Sequence, residues 1–151
     1  MTTTGHAAPV RRPDVKRDAP DAYRALAALT RGGLDDHRLS EVLKLRASQI
    51  NGCASCMTWH DELARKAGED QDRLAAVAAW RESDLFTPRE RAALELTEAL
   101  TLVDRGPVPA AVMATAAQWF PGPELARLVM TITAINAWNR VSIAGKGALA
   151  P

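Results

Sequence analysis

The 151-residue sequence has few cysteines, few aromatic residues and almost no net charge. A formal charge of +1 creates no field that would draw the chain to nucleic acid or to an anionic membrane. No apolar run approaches the ~20 residues that cross a bilayer, so we expect neither nucleic acid nor membrane as a partner. The N-terminal residues lack the apolar stretch of a secretory signal, and we therefore expect a cytoplasmic protein.

The only two cysteines, Cys53 and Cys56, lie three residues apart. In a reducing cytoplasm such a pair is more often catalytic, redox-sensing or metal-binding than structural. A structural disulfide across so short a loop would stabilise the fold by only about 2 kcal/mol. A zinc site is a second alternative, but Cys53, Cys56 and His60 supply three ligands and the sequence offers no clear fourth. A redox pair is the favoured interpretation.

Helical spacing of apolar residues, without βαβ alternation, predicts an all-α fold. We expect an N-terminal arm over residues 1–19 and a single helical domain of about six to seven helices over residues 20–151, with the cysteines near the start of a helix. The second helix should be buried on two sides, since Leu45 lies opposite Leu39, and the last should be largely apolar. The predicted helices cover about 23–31, 36–50, 52–67, 70–80, 87–105, 109–118 and 125–143.

Cys53, Cys56 and His60 form the first candidate constellation. Their spacing of i, i+3 and i+7 places them within about 60° of one another on one helix face. Asn51 is a good N-cap, which would put both cysteines in the first turns of the third helix. The helix N-terminus favours a thiolate at Cys53, whereas His60, one turn after Cys56, favours a thiolate there. The spacing alone leaves open which sulfur is the nucleophile.

Glu41 is the fourth candidate, because a carboxylate among apolar neighbours is costly unless it is solvated or used. A turn at Asn51-Gly52 would allow the second and third helices to fold back on each other and bring Glu41 near the thiols. As isolated residues, Glu41 and His60 would be read as an ordinary surface acid and an ordinary histidine. Trp59 precedes His60 and could form a wall of the site, whereas Trp80, Trp119 and Trp138 are expected to be packing anchors.

Together, Glu41, the Cys53-Ala54-Ser55-Cys56 motif and His60 resemble the pattern of alkylhydroperoxidase D-like proteins within the carboxymuconolactone decarboxylase family. The flanking segments 46–53 and 134–140 look typical of that group, and the resemblance covers about residues 21–147. It implies that Cys56 attacks a peroxide, that Cys53 resolves the product, and that Glu41 and His60 relay the proton. It also implies a lipoyl-protein or thioredoxin-like dithiol reductant, a homo-oligomer, and neither bound metal nor flavin as a cofactor. Ser55 departs from the pattern, because well-known members carry a second histidine there.

The function expected from this resemblance is that of a thiol-dependent peroxidase of the peroxiredoxin type. Its substrate would be hydrogen peroxide or an organic hydroperoxide, reduced through a Cys53/Cys56 dithiol-disulfide cycle. Two alternatives stay open: a carboxymuconolactone decarboxylase-like enzyme, and an oligomeric redox sensor whose disulfide controls partner binding.

Overall fold

The computed structural model describes residues 11–145, and within that range the chain is all-helical with no strand. Helix α1 (Val15–Asp18) is a single turn that precedes α2 (Pro20–Arg31). The remaining helices are α3 (His37–Asn51), α4 (Ala54–Lys66), α5 (Gln71–Ala76), α6 (Pro88–Thr101), α7 (Ala110–Trp119) and α8 (Pro123–Ala144). Short 3₁₀ helices follow α5 at Val77–Glu82 and α6 at Val103–Arg105. The predicted all-α class is confirmed.

Helix α3 occupies the centre of the molecule, in contact with α4, α6 and α8. Its apolar residues on opposite sides are both buried, with Leu39 3% and Leu45 5% exposed, as the two-sided pattern predicts. Helix α8 packs against α2, α3 and α6. Its buried face carries Leu128, Ile132 and Ile135, while Ile143 remains 45% exposed. The packing of α3 against α4 fixes the position of α4, which contains Cys56 and begins directly after Cys53.

Several helix ends follow directly from sequence signals. The Thr87 hydroxyl accepts from the Glu90 backbone N–H at the start of α6, and the Glu90 carboxylate accepts from the Thr87 backbone N–H, so the predicted capping box is confirmed. Gly33 is needed for close packing, because a Cβ there would lie 2.5 Å from Oγ1 of Thr131. That hydroxyl accepts a hydrogen bond from the Leu34 backbone N–H at 2.9 Å.

Three sequence predictions about local structure were wrong. Asn51 does not cap the cysteine helix: it is the last residue of α3, and Cys53 takes the N-cap position. The helix predicted over 70–80 ends at Ala76, where a 3₁₀ segment with a non-helical Ala79 takes over. Trp119 is the last residue of α7 and is 42% exposed, whereas its neighbour Phe120 is the buried anchor.

Part of the predicted N-terminal arm, residues 1–10, lies outside the described residues, as do residues 146–151 of the predicted domain. Within the arm, α1 contacts α2, and the Arg12 guanidinium donates to the backbone carbonyl of Ile143 at the end of α8. Over residues 11–145, no helix is long and apolar enough to cross a membrane.

Candidate active site

The turn between α3 and α4 places the two cysteines. Gly52 adopts a left-handed conformation with φ 68°, which ends α3 and which glycine accommodates without a steric penalty. Cys53 follows in an extended conformation and is the N-cap of α4, with its backbone N–H donating to the Ser48 carbonyl at 3.0 Å. Cys56 therefore falls in the first turn of α4, where unpaired backbone N–H groups and the helix dipole favour a thiolate.

Cys53 and Cys56 are joined as a disulfide, with their Cα atoms 5.3 Å apart. Both residues are buried, Cys53 at 2% and Cys56 at 8% exposed. The structure therefore brings the two sulfurs within bonding distance, which is the geometry that a dithiol-disulfide cycle requires. Across the described chain, no group of three or more His, Cys, Asp or Glu residues is arranged to hold a metal ion.

Glu41 and His60 meet across the α3–α4 interface. Oε2 of Glu41 lies 2.6 Å from Nδ1 of His60, and both residues are buried. Because an ionised carboxylate only accepts hydrogen bonds, Nδ1 carries the hydrogen and Nε2 of a neutral imidazole is left as an acceptor. This bond orients the ring of His60 and would stabilise the imidazolium if Nε2 took up a proton.

Lys44 is a third member of the Glu41–His60 cluster. The sequence reasoning did not identify it. Its Nζ donates to Oε1 of Glu41 at 2.7 Å, and the two side chains are only 13% and 11% exposed. Burial alone would raise the pKa of Glu41, but the hydrogen bond from His60 and the charge of Lys44 outweigh it and lower that pKa below its ordinary value of 4.5. Glu41 is therefore ionised at neutral pH. The i, i+3 spacing of Glu41 and Lys44 on a predicted helix was the available signal.

Ser55, the position that departs from the family pattern, contacts the other cysteine. Its Oγ lies 3.6 Å from Sγ of Cys53 and 2.9 Å from Oγ of Ser142 on α8. The Ser55 and Ser142 hydroxyls can each act as the donor, so Ser55 can supply a hydrogen bond to a Cys53 thiolate. Ser142 has no sequence signal that links it to the motif.

A cavity of about 470 Å³ of empty space, part of it open to solvent, reaches this site. Cys56 and His60 both line it, so the two residues border the same space. Its walls are largely apolar, and Trp59 forms part of them, as the sequence suggested. The lining residues are Thr30, Lys44, Cys56, Trp59, His60, Leu63, Ile135 and Trp138.

The described helices thus place a disulfide-bonded cysteine pair at the start of one helix and a buried histidine–carboxylate pair between that helix and its neighbour. Residues 17–99 match the carboxymuconolactone decarboxylase family. The chain is 42% identical over 104 residues to the uncharacterized protein YdfG of Bacillus subtilis strain 168, which covers 69% of this chain and 71% of that protein. This protein belongs to the carboxymuconolactone decarboxylase family, as an alkylhydroperoxidase D-like member.

The fold supports the same assignment. It superposes with a TM-score of 0.82 on the crystal structure of an Agrobacterium tumefaciens protein of unknown function, with 33% sequence identity. The match covers 89% of this chain and 94% of that one. The Agrobacterium protein has been assigned provisionally to antioxidant defence as an AhpD protein. The family resemblance seen in the sequence is therefore confirmed.

Proposed function

We propose that this protein is a thiol-dependent peroxidase that reduces hydrogen peroxide or organic hydroperoxides through Cys53 and Cys56. The observation that carries the proposal is the shared cavity: Cys56 lines it together with His60, whose Nδ1 is hydrogen-bonded to the buried carboxylate of Glu41. A nucleophilic sulfur, a base and a group that orients the base are the parts that covalent thiol chemistry requires.

Cys56 is the sulfur that attacks. It borders the cavity and stands one helical turn before His60, whereas Cys53 is not among the cavity's lining residues. The Cys56 thiolate forms a bond to the terminal oxygen of the hydroperoxide, the O–O bond breaks, and the remaining oxygen leaves with the electron pair. The sulfur is oxidised to a sulfenic acid, and the peroxide is reduced to an alcohol or to water once the leaving oxygen gains a proton.

His60 carries that proton. Its Nε2 accepts the proton of the Cys56 thiol and returns it to the leaving oxygen, while Glu41 stabilises the charged ring in between. Lys44 holds Glu41 in its ionised form and keeps the carboxylate oriented between α3 and α4. Glu41 thus acts as a positioning residue, and Lys44 supports it.

Cys53 closes the cycle. Its thiol attacks the sulfenic acid, an S–S bond forms, and the hydroxyl leaves as water. A dithiol then reduces the disulfide, and we propose a lipoyl protein or a thioredoxin-like protein as that donor. We also propose that the protein forms homo-oligomers, since large apolar side chains including Leu85, Val103 and Trp119 are exposed on the described chain.

The test is a count of free thiols on the reduced protein after one equivalent of cumene hydroperoxide, with free cysteine as the reference. We expect two thiols to disappear at least a hundredfold faster than free cysteine reacts. The Cys56→Ser variant should lose this speed, whereas Cys53→Ser should still lose one thiol rapidly. Thiols that react no faster than free cysteine would overturn the proposal and leave a redox sensor or a decarboxylase-like enzyme in its place.

A further inference from the structure

The indole nitrogen of Trp59 is the one buried side-chain polar atom without a hydrogen-bond partner among the described residues. Such atoms are rare, because a donor shielded from water loses its solvation and gains nothing in return. The cost is of the order of 1–3 kcal/mol, so an unpaired donor beside a candidate active site calls for an explanation.

The indole N–H groups of the other three tryptophans are not left buried without a partner. Nε1 of Trp80 donates to Oε1 of Glu98 at 2.9 Å, and Nε1 of Trp138 donates to Oγ1 of Thr30 at 2.7 Å. Trp119 is 42% exposed and can be solvated. The fold therefore supplies a partner, or access to water, for each tryptophan except the one next to His60.

Trp59 also occupies a distinctive place. It follows Cys56 by three residues on α4, so the two side chains lie on neighbouring positions of one helix face, and both line the cavity. The other side-chain donors of the wall are engaged: Lys44 and His60 donate to Glu41, Thr30 donates to the Leu26 carbonyl, and Trp138 donates to Thr30. Trp59 is therefore the lining residue whose neutral N–H donor stays uncommitted.

We propose that Trp59 is a catalytic residue, whose indole N–H donates a hydrogen bond to the hydroperoxide oxygen that leaves when the Cys56 thiolate attacks. This inference rests on the proposed peroxidase function and adds a group that stabilises the leaving oxygen. As the S–O bond forms and the O–O bond breaks, negative charge develops on that oxygen. A donor already fixed in a largely apolar cavity stabilises this charge without first giving up another partner. The indole keeps its proton, and the proton that completes the alcohol comes from His60.

The first variant is Trp59→Phe, with Trp119→Phe as the matched control on the exposed end of α7. The assay is the rate of thiol loss of the reduced protein with cumene hydroperoxide and with hydrogen peroxide. We expect Trp59→Phe to lower the second-order rate constant at least tenfold with both peroxides, since both leave a negatively charged oxygen. Trp119→Phe should react like the wild type. A Trp59→Phe rate within twofold of the wild type would overturn the inference.

The second variant separates the N–H from the packing of the ring. Replacing Trp59 by 3-benzothienylalanine keeps the bicyclic shape but substitutes sulfur for the N–H group. We expect the same loss of rate as in Trp59→Phe, together with an unchanged or higher Tm, because the replaced donor has no partner to lose. A wild-type rate in this variant would overturn the inference even if Trp59→Phe is slow or unfolded, because the ring alone would then account for the effect.

The rate measured for the wild-type protein distinguishes a failure of the peroxidase proposal from a failure of the Trp59 proposal. If the wild-type thiols react no faster than free cysteine, the peroxidase function fails and the role of Trp59 fails with it. If the wild type reacts rapidly and both Trp59 variants match it, the peroxidase function stands and only the role of Trp59 is overturned.

Discussion

Replacing Glu41 by glutamine tests the proton relay and the energetics of the site in one variant. In the wild type, the two carboxylate oxygens accept from His60 at 2.6 Å and from Lys44 at 2.7 Å. A glutamine has the same shape but only one oxygen, so either Lys44 or His60 would face an amide NH₂ group. The substitution therefore creates a donor–donor contact and leaves a largely buried ammonium group without its counter-ion.

The expected loss of stability follows from the degree of burial. Removing one partner of a fully buried ion pair costs about 3–5 kcal/mol of stability, whereas an exposed pair contributes only about 0–1 kcal/mol. With the Lys44 and Glu41 side chains 13% and 11% exposed, we place the cost of Glu41→Gln at about 2–3 kcal/mol. In a chain of this size that corresponds to a fall in Tm of roughly 4–12 °C.

The expected loss of activity follows from the orientation of His60. Without a carboxylate at Nδ1, the ring is no longer held in one tautomer and its protonated form loses its ion pair. We expect the rate of thiol loss with cumene hydroperoxide at pH 7 to fall about a hundredfold, the lower end of the usual contribution of a positioned base. Glu62→Gln is the matched control: it removes an exposed partner of Lys66 on α4 and should leave both rate and Tm unchanged. A folded Glu41→Gln protein that reacts within threefold of the wild type would refute the relay.

Three further predictions concern neighbouring groups. Lys44→Met keeps an unbranched chain against the cavity but removes the charge, and it should raise the pKa of Glu41, detectable as a shift of the acid limb of the rate–pH profile to higher pH. Ser55→Ala removes the hydroxyl beside Sγ of Cys53, so reduction of the disulfide by dithiothreitol should slow by a few fold while peroxide oxidation is unchanged; equal reduction rates would count against this role. Because the folded pKa of Glu41 lies below its ordinary value, this carboxylate contributes stability that is present above about pH 4.5 and is lost as the pH falls through the lower folded pKa. Urea unfolding from pH 7 to pH 3 should show a shallower loss of stability in Glu41→Gln than in the wild type, and parallel curves would contradict this linkage.

The parts of the fold that could be predicted are those governed by local spacing. The capping box at Thr87 and Glu90 depends on residues three apart, and the sequence alone places it correctly. The face shared by Cys56 and His60 likewise follows from helical periodicity, and both residues line the same cavity. In both cases the interacting groups belong to one helix, so local geometry was sufficient.

The predictions that failed depend on contacts between helices. Around the 3₁₀ segment after α5, the Arg91 guanidinium binds the backbone carbonyls of Trp80, Arg81 and Ser83, and the Trp80 indole binds Glu98. These partners lie on α6, so the end of α5 cannot be recognised from its own residues. Asn51 failed as an N-cap for a similar reason: its amide donates to Asn136 and Asn139 of α8 at 2.9 and 2.8 Å.

In the site, too, features that depend on one helix or on the motif were predictable, and the other contacts between helices were not. Glu41 and His60 could be nominated from the motif, and the i, i+3 spacing of Glu41 and Lys44 was a signal that went unused. The link from Ser55 to Ser142 depends on the packing of α4 against α8. The unpaired indole of Trp59 is a further case, because a missing partner can be recognised only when all neighbouring helices are in place.

The most direct test of the central claim is to trap the sulfenic acid on the Cys53→Ser variant. Without the resolving thiol, the oxidised nucleophile should persist, and dimedone added after one equivalent of cumene hydroperoxide should label it. The account predicts that mass spectrometry finds one dimedone adduct, located on Cys56, in most of the protein. Rapid peroxide consumption without an adduct, or no reaction of Cys56 while Cys53 in the Cys56→Ser variant is labelled, would contradict it.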